Sequence, residues 1–398
     1  MRLTLMLCWI AAPISLRAQQ PVTRAEAVTA ALAHGARVAL GRADTTAALG
    51  AVRAARAFPN PTVSGSYTKD PPNYHALGEL PLDLPWLRSS RIGAAEAARD
   101  AGRYRFAFER AAIRFDTDTT YTRGLAAAMQ ARLSRRTALD ADSLLRIAEL
   151  RRDAGDVSEL DVRLAAVNAG QLANAAADDS LAEQAALVSL QLQMGLTGDA
   201  PTIVLVDSLR PPPSDSAGEE SRVLLPVAAA EADVRSAERA LSFASSSRFA
   251  PSLQLGFDTG DPASTTPHQL LPVVGFSLPF PLFNFGRGDV LRAEAERDRA
   301  RAQLDLARRE TDAALASARR ELAVARERLR RSAGLVESAD RVAVMSLQAY
   351  SEGAVPLATV LEAQRNAREI LARYIDDLAA ADAAARALKM LTAPPDQP

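Results

Sequence analysis

The sequence contains the same plan twice, and this internal repeat constrains the fold more than any other feature. The segment "SEGAVPLATVLEAQ" (351–364) echoes "RDAGDVSELDVRLAA" (152–166). Aligning Gly353 with Gly155 gives an offset of 198 residues (353 minus 155), and this offset also aligns Val355 with Val157. A glycine after a helical segment commonly ends the helix and reverses the chain. We therefore expect two copies of one structural unit, each with a glycine turn near its far end.

Each half also contains two short stretches in which apolar and polar residues alternate, the pattern of β-strands. They are "PTVSGSY" (61–67) with "ELPLDLPW" (79–86), and "PSLQLGF" (251–257) with "VGFSLPFPLF" (274–283). We predict one β-hairpin per half, at about 61–86 and 251–283. The prolines late in each second strand cannot donate to a ladder, so that end should leave the sheet. The apolar face comprises Val63, Tyr67, Leu80, Leu82, Trp86, Leu253, Leu255, Phe257, Phe276, Leu278 and Phe280.

Helical patterns precede and follow each hairpin. Residues 23–57 and 224–247 each open a half as helix, the first with breaks expected near Gly35 and Gly41. No proline interrupts residues 290–349, and sixty helical residues would reach roughly 90 Å. The return segment has a heptad seam, formed by Leu371, Tyr374, Leu378, Ala381, Ala385 and Leu388. The plan in each half is therefore helix, β-hairpin, long helix, glycine turn and long helix.

Composition agrees with long helices and gives no support to an enzyme. Apolar residues make up 48% of the chain but aromatic residues only 5%, which is typical of helices that pack through small-residue seams. The net charge of -1 and the interleaved charges argue against nucleic-acid binding. The three histidines are scattered, and neither a phosphate-binding glycine loop nor metal-ligand spacing is present. We predict no catalytic residues, no cofactor and no metal site.

The N-terminus has the layout of a secretory signal peptide. Arg2 precedes an apolar run that is too short for a membrane-spanning helix, and the small residue Ala18 stands before a polar stretch. Cys8 is the only cysteine, and it follows Leu7 rather than the small residue expected before an acylated cysteine. The domain prediction is a signal peptide at 1–18, a first repeat at 19–205, a linker at 206–222, a second repeat at 223–391 and a tail at 392–398.

This plan resembles the outer-membrane efflux proteins, the TolC-like channels of Gram-negative bacteria. The resemblance rests on the doubled plan, on the strand entries "FPNPTVSGSY" and "FAPSLQLGF", and on the glycine-x-valine turn followed by "VLEAQRNAREILARYIDDLAA". It implies a mainly α fold in which three copies each give two β-hairpins to one shared membrane barrel. The long coiled-coil helices would form a hollow tunnel in the periplasm.

The resemblance also implies a function and partners. The protein would be the outer-membrane channel of a tripartite efflux or type I secretion system, with a periplasmic adaptor and an inner-membrane pump as partners. The apolar strand face would contact outer-membrane lipid, with Tyr67, Trp86, Phe276 and Phe280 in the interfacial aromatic girdle. The alternative for that face is burial against a layer of soluble helices.

The two glycine turns would then be hairpin tips at the periplasmic end. Gly155 and Gly353 would allow the reversal, and Val157, Val355 and Pro356 would offer apolar surface to the adaptor. The simpler alternative is that each turn only links two helices.

Two acidic positions that narrow the periplasmic end in the family fall on Thr359 and Glu362, so this chain keeps one acid of the two. Asp161 is the counterpart of Thr359 in the first repeat. Three copies of Glu362 would form a ring that favours cations. The alternative is a solvated glutamate paired with Arg365 or Arg368.

Two other classes of protein fit part of the pattern. A periplasmic adaptor would need one coiled-coil hairpin between lipoyl-like β halves, whereas this chain has two hairpins and barrel-like strands. A soluble periplasmic coiled-coil scaffold would leave the strand pattern unexplained. The sequence does not identify the cargo, the pump class or the gating mechanism.

Overall fold

The computed structural model describes residues 20–213, 223–247, 251–260, 270–279 and 285–394. The predicted signal peptide with Cys8, most of the linker, Phe280 and the end of the tail lie outside these ranges. The elements are β1 (Gln20–Val22), α1 (Arg24–His34), α2 (Ala36–Arg56), β2 (Thr62–Tyr67), β3 (Tyr74–Pro81), α3 (Pro85–Asp153), α4 (Glu159–Gln193), β4 (Ile203–Leu205), α5 (Leu225–Ser247), β5 (Ser252–Thr259), β6 (Leu271–Ser277), α6 (Arg287–Ser351) and α7 (Leu357–Leu391).

Four long helices dominate the structure and repeat between the halves. α3 has 69 residues and α6 has 65, while α4 and α7 have 35 each. α3 and α6 end 198 residues apart (351 minus 153), and so do α4 and α7 (391 minus 193). The prediction of a mainly helical fold with long paired helices is confirmed.

The predicted heptad seam of α7 packs against the small-residue seam of α6. Leu378 and Ala381 form one buried cluster with Ala325 and Leu329. Alanine occupies two of these four positions and lets the two backbones approach closely. Such packing agrees with the low aromatic content of the sequence. This packing confirms the seam predicted from the heptad spacing.

The two predicted β-hairpins join in one antiparallel sheet of order β2-β3-β5-β6. In the register, Leu80 lies opposite Leu253, and Leu253 lies opposite Phe276. Because side chains alternate between the faces of a sheet, this register places seven of the predicted apolar residues on one face: Val63, Tyr67, Leu80, Leu253, Leu255, Phe257 and Phe276. β2 and β6 are the edges, and neither has a second partner strand among the described residues.

The prediction that the proline-rich end of each second strand leaves the sheet is confirmed, since β3 ends at Pro81 and β6 at Ser277. Three residues predicted on the apolar strand face therefore lie outside the strands: Leu82 follows β3, Leu278 follows β6, and Trp86 lies in the first turn of α3. The first helix breaks at Gly35 but continues through Gly41, where the Phe106 ring occupies the space that a side chain would need.

The chain divides into two compact units. One combines residues up to Gly35 with Ile113–Ser214 and Glu321–Arg386, and the other contains the four-stranded sheet, α2 and α5. In the first unit β1 and β4 pair in parallel over a core that includes Tyr121, Leu190 and Ile203. Among the described residues, no helix is both long enough and apolar enough to cross a membrane.

Candidate functional site

Both glycine turns have the same hydrogen-bond pattern, in which the last carbonyls of a helix are capped by the residues that follow it. In the first, Gly155 N donates to Arg152 O and Asp156 N donates to Arg151 O. The second repeats this geometry, with Gly353 N donating to Tyr350 O and Ala354 N donating to Ala349 O. These pairs of bonds define a Schellman motif, which ends a helix and reverses the chain.

At both positions the motif requires a residue that tolerates a left-handed backbone, and glycine does so best. Gly155 has a φ of 85° and Gly353 a φ of 74°, in the left-handed region that a side chain makes costly. A Cβ atom built at either glycine would meet nothing within 4 Å, so the requirement comes from the backbone and not from crowding.

The two tips pack on each other within the first unit. Val162 and Ala165 of the first tip share a buried cluster with Tyr350, Leu357 and Val360 of the second. The Arg151 guanidinium donates to Tyr350 O at 3.1 Å and lies 4.9 Å from the centroid of the Tyr350 ring. The buried Tyr350 hydroxyl has no hydrogen-bond partner among the described residues. The tips therefore form one joined structure.

The structure gives Asp161 a local role that its counterpart Thr359 lacks. Asp161 accepts hydrogen bonds from the backbone N and the hydroxyl of Ser158, while the Ser158 hydroxyl accepts from Asp161 N, so the two residues form the capping box of α4. In the second repeat Pro356 stands in place of Ser158, and Thr359 is an exposed residue of the first turn of α7. Helix capping alone accounts for an acid at position 161.

Glu362 is the acidic candidate that the structure leaves free. Its side chain is exposed on α7, two turns beyond the tip, and it makes no ion pair with any residue that the structure describes. Arg365, one of its two suggested partners, pairs instead with Glu369 at 3.8 Å. The other, Arg368, is half-buried.

The predicted docking residues divide between the surface and the core. Pro356 is exposed, whereas Val157 and Val355 are half-buried. Val355 packs against the buried cluster that joins the tips. The free apolar surface of this end therefore includes Pro356 and the exposed Leu160 of α4, which the sequence pattern did not single out.

A buried ionic cluster in the first unit was not foreseen from the sequence. Asp382 of α7 accepts hydrogen bonds from Arg24 and Arg386, each at 2.9 Å, and from the Thr122 hydroxyl. Burial alone would raise the pKa of Asp382, but the three hydrogen bonds outweigh it and hold the pKa below its usual value. Arg386 also pairs with Asp118 of α3 at 2.8 Å.

Tyr121, beside this cluster, fixes the N-terminal segment. Its hydroxyl lies 2.9 Å from both Val22 O and the Asp207 carboxylate, and the Arg24 backbone N donates to the same carboxylate. Burial raises the pKa of Tyr121 to about 12, with the hydrogen bond to Asp207 as a further cause. The only signal in the sequence is the polar run "DTDTTYT" at 116–122, inside an otherwise ordinary helix.

A second unforeseen contact joins the two halves of the sheet. His75 of β3 lies 2.8 Å from Asp258 of β5 and 3.1 Å from the Thr68 hydroxyl. The pair could not be identified before the register of β3 against β5 was known. No group of three or more potential ligands among the described residues could hold a metal ion.

Comparisons with known proteins agree with this architecture. Residues 225–393 match the outer membrane efflux protein family. The fold is similar to that of a membrane protein from Pseudomonas aeruginosa, with a TM-score of 0.76, 20% identity and coverage of 93% of each chain. It is also similar to the outer membrane protein VceC from Vibrio cholerae, with a TM-score of 0.76, 15% identity and coverage of 94% of this chain and 97% of that one.

A third similar structure is the outer membrane channel CmeC from Campylobacter jejuni. The TM-score is 0.74 at 15% identity, over 93% of this chain and 85% of that one. A comparison with curated proteins gives no match. At these identities the structural comparisons establish the fold, while the family match over residues 225–393 confirms the resemblance predicted from the sequence.

Proposed function

From this resemblance to the outer membrane efflux proteins, we propose that the protein is an outer-membrane channel. It would be the passive exit component of a tripartite efflux or type I secretion system in a Gram-negative bacterium. An inner-membrane pump would supply the transport energy, and a periplasmic adaptor would connect the two.

The observation that carries this proposal is the four-stranded sheet. It joins the hairpins of both halves, one of its faces is apolar and largely exposed, and its edge strands β2 and β6 lack partners among the described residues. An open sheet edge is not stable in lipid because its backbone groups have no hydrogen-bond partners. A membrane location therefore requires the edges to pair with other copies, and three copies would close a barrel of twelve strands.

The tips support the periplasmic half of the proposal. Two Schellman turns per chain would give a trimer six tips at the periplasmic mouth, with Pro356 and Leu160 offering apolar surface to an adaptor. Glu362 would contribute one carboxylate per chain to a ring at the constriction. Thr359 is neutral, and Asp161 already caps α4, so we propose a single acidic ring.

Location and assembly test the proposal together. The full chain, with its own N-terminus, would be expressed in a Gram-negative host, and the host membranes would be separated on a density gradient. The fractions would then be treated with a photo-activated cross-linker that does not need amine groups on the protein. We expect the protein in the outer-membrane fraction, extractable only with detergent and cross-linked as trimers. Recovery as a monomer in the soluble periplasmic fraction would contradict the proposal and favour the scaffold alternative.

A further inference from the structure

A cavity of about 610 Å³, open to solvent on one side, lies in the first unit close to the tips. Its walls come from four helices, α3, α4, α6 and α7. This volume lies within the range of sites that hold drug-sized molecules, about 300–1,000 Å³.

The wall of the cavity is mainly apolar. Leucine and valine side chains from all four helices contribute, among them Leu144, Leu172, Val336, Leu347, Leu361 and Leu371. Such a lining suits the hydrocarbon or aromatic body of an organic molecule, because most of the binding free energy comes from apolar surface removed from water.

One charged side chain in this wall differs from the others. Six charged residues line the cavity, and five of them are exposed: Arg136, Asp140, Glu337, Asp340 and Arg365. Arg368 alone is half-buried, and its guanidinium makes no hydrogen bond or ion pair with any residue that the structure describes. Burial lowers the pKa of Arg368 and the nearby Arg365 lowers it further, while Glu369 opposes them.

Half-burial of Arg368 without a partner removes part of the water around its charge, and an anion would offset this desolvation cost. The planar fork of arginine suits carboxylate, sulfonate and phosphate groups, which accept two parallel hydrogen bonds. The half-buried amides of Asn168 and Gln364 also line the cavity and could bind other polar atoms of the same molecule.

We propose that this cavity binds an amphiphilic organic anion, with its acidic group on Arg368 and its apolar body against the leucine and valine wall. The inference does not depend on the channel function. Conductance tests the channel, whereas ligand binding tests this site, so the two can fail separately.

Two fluorescent probes with nearly the same aromatic body separate the charge from the apolar contact. 8-Anilinonaphthalene-1-sulfonate carries a sulfonate, and N-phenyl-1-naphthylamine is neutral. Both would be titrated into the purified full chain at one fixed detergent concentration, with the detergent blank subtracted. Wild type would be compared with Arg368→Gln and with Arg373→Gln, an exposed arginine of the same helix that does not line the cavity.

We expect saturable binding of the sulfonate with about one probe per chain. In Arg368→Gln its Kd should rise about tenfold or more, as expected for loss of a charged hydrogen bond. Arg373→Gln should bind it as wild type does, and the neutral probe should bind wild type and Arg368→Gln equally. Ala343→Phe, which places a ring in the cavity, should weaken binding of both probes.

Equal affinity for the sulfonate in wild type and Arg368→Gln would overturn the proposal. So would an equal loss in Arg373→Gln, because that would show a general charge effect. If Arg368→Gln does not fold, Ala343→Phe still decides, since unchanged binding of both probes in that variant places them outside the cavity. A loss of trimer without a change in probe affinity would make the cavity a packing surface between copies, and the proposal would fail.

Discussion

Ser332 of α6 donates a hydrogen bond to Asp377 of α7, and Ser134 of α3 donates the equivalent bond to Asp179 of α4. The two pairs are 198 residues apart at both ends (332 minus 134, and 377 minus 179). Both serines are buried, and both aspartates are half-buried. Each helical hairpin thus has the same polar contact between its two helices, and we expect this contact to hold the register of one helix against the other.

Removing the Ser332 hydroxyl should destabilise the helical hairpin of α6 and α7 without shortening either helix. In Ser332→Ala the half-buried Asp377 carboxylate loses its donor, which costs about 1–3 kcal/mol. We expect a lower Tm by circular dichroism and faster amide exchange in α6 and α7, with α3 and α4 unaffected. Ser338→Ala, on the exposed face of α6, is the matched control and should behave as wild type. Equal exchange in both variants would refute a role of this bond in register.

The buried cluster around Asp382 should dominate stability in the first unit. Asp382→Asn leaves Arg24 and Arg386 without their shared carboxylate, and breaking a buried ion pair costs about 3–5 kcal/mol. A large drop in Tm at pH 7 is expected. Glu369→Gln, which loses only an exposed pair on the same helix, should shift the Tm little. A similar Tm for the two variants would contradict this assignment.

The same cluster predicts a pH dependence. Because the folded-state pKa of Asp382 is lowered, its carboxylate stabilises the fold above the unfolded-state pKa of about 3.9, and this stabilisation is lost as the pH falls through the folded-state value. The difference in Tm between wild type and Asp382→Asn should therefore stay constant from pH 7 to about pH 5 and shrink below about pH 4. A difference that grows on acidification would have the wrong sign.

Replacing a turn glycine should lower the stability of the fold through backbone strain alone, because no neighbouring atom would contact the new side chain. Gly353→Ala places a side chain at a φ of 74°, which costs roughly 1–2 kcal/mol, although the space around it is open. Gly353→Asn should cost less, because asparagine tolerates this conformation better. Gly334→Ala, in the interior of α6 and also in open space, should be neutral or slightly stabilising. Thermal melts of the three variants give the comparison, and an equal Tm for Gly353→Ala and Gly334→Ala would contradict it.

Two adjacent valines test which face of the sheet contacts lipid. Val274 is 74% exposed on the apolar face, and Val273 lies on the opposite face because β6 alternates. Val274→Arg would place a charge in lipid, at about 2–4 kcal/mol near the bilayer midplane. We expect it to reduce the trimer recovered from the outer membrane, while Val273→Arg is tolerated inside a water-filled barrel. If Val273→Arg reduces the trimer and Val274→Arg does not, the face that contains Val273 contacts lipid instead.

Features that repeat along the chain could be predicted well, because burying one face of a helix or strand makes apolar residues recur at regular intervals in the sequence. The helical hairpins, the seam of Leu378 and Ala381, and the common face of Leu80, Leu253 and Phe276 are all of this kind. The prolines correctly predicted that the end of this strand leaves the sheet, and β3 stops at Pro81. Leu82 and Trp86 were wrongly placed on the strand face because the alternating pattern continues past that point.

Contacts between distant segments were not predictable in the same way. Arg24 and Asp382 are 358 residues apart, and His75 and Asp258 are 183 apart, so each pair depends on the packing of whole elements. The role of Asp161 was accessible from the sequence. Ser158 stands three residues before it, which is the spacing of a capping box.

Single-channel recording in planar bilayers tests the central claim most directly. Wild type would be compared with Glu362→Gln and with Glu352→Gln, an exposed glutamate at the tip. We predict discrete cation-selective conductance steps in wild type and Glu352→Gln, and a clear loss of cation selectivity in Glu362→Gln, because three carboxylates leave the constriction. Unchanged cation selectivity in Glu362→Gln would show that Glu362 does not line the constriction. A folded, purified protein that gives no conductance steps would contradict the account of this chain as a channel.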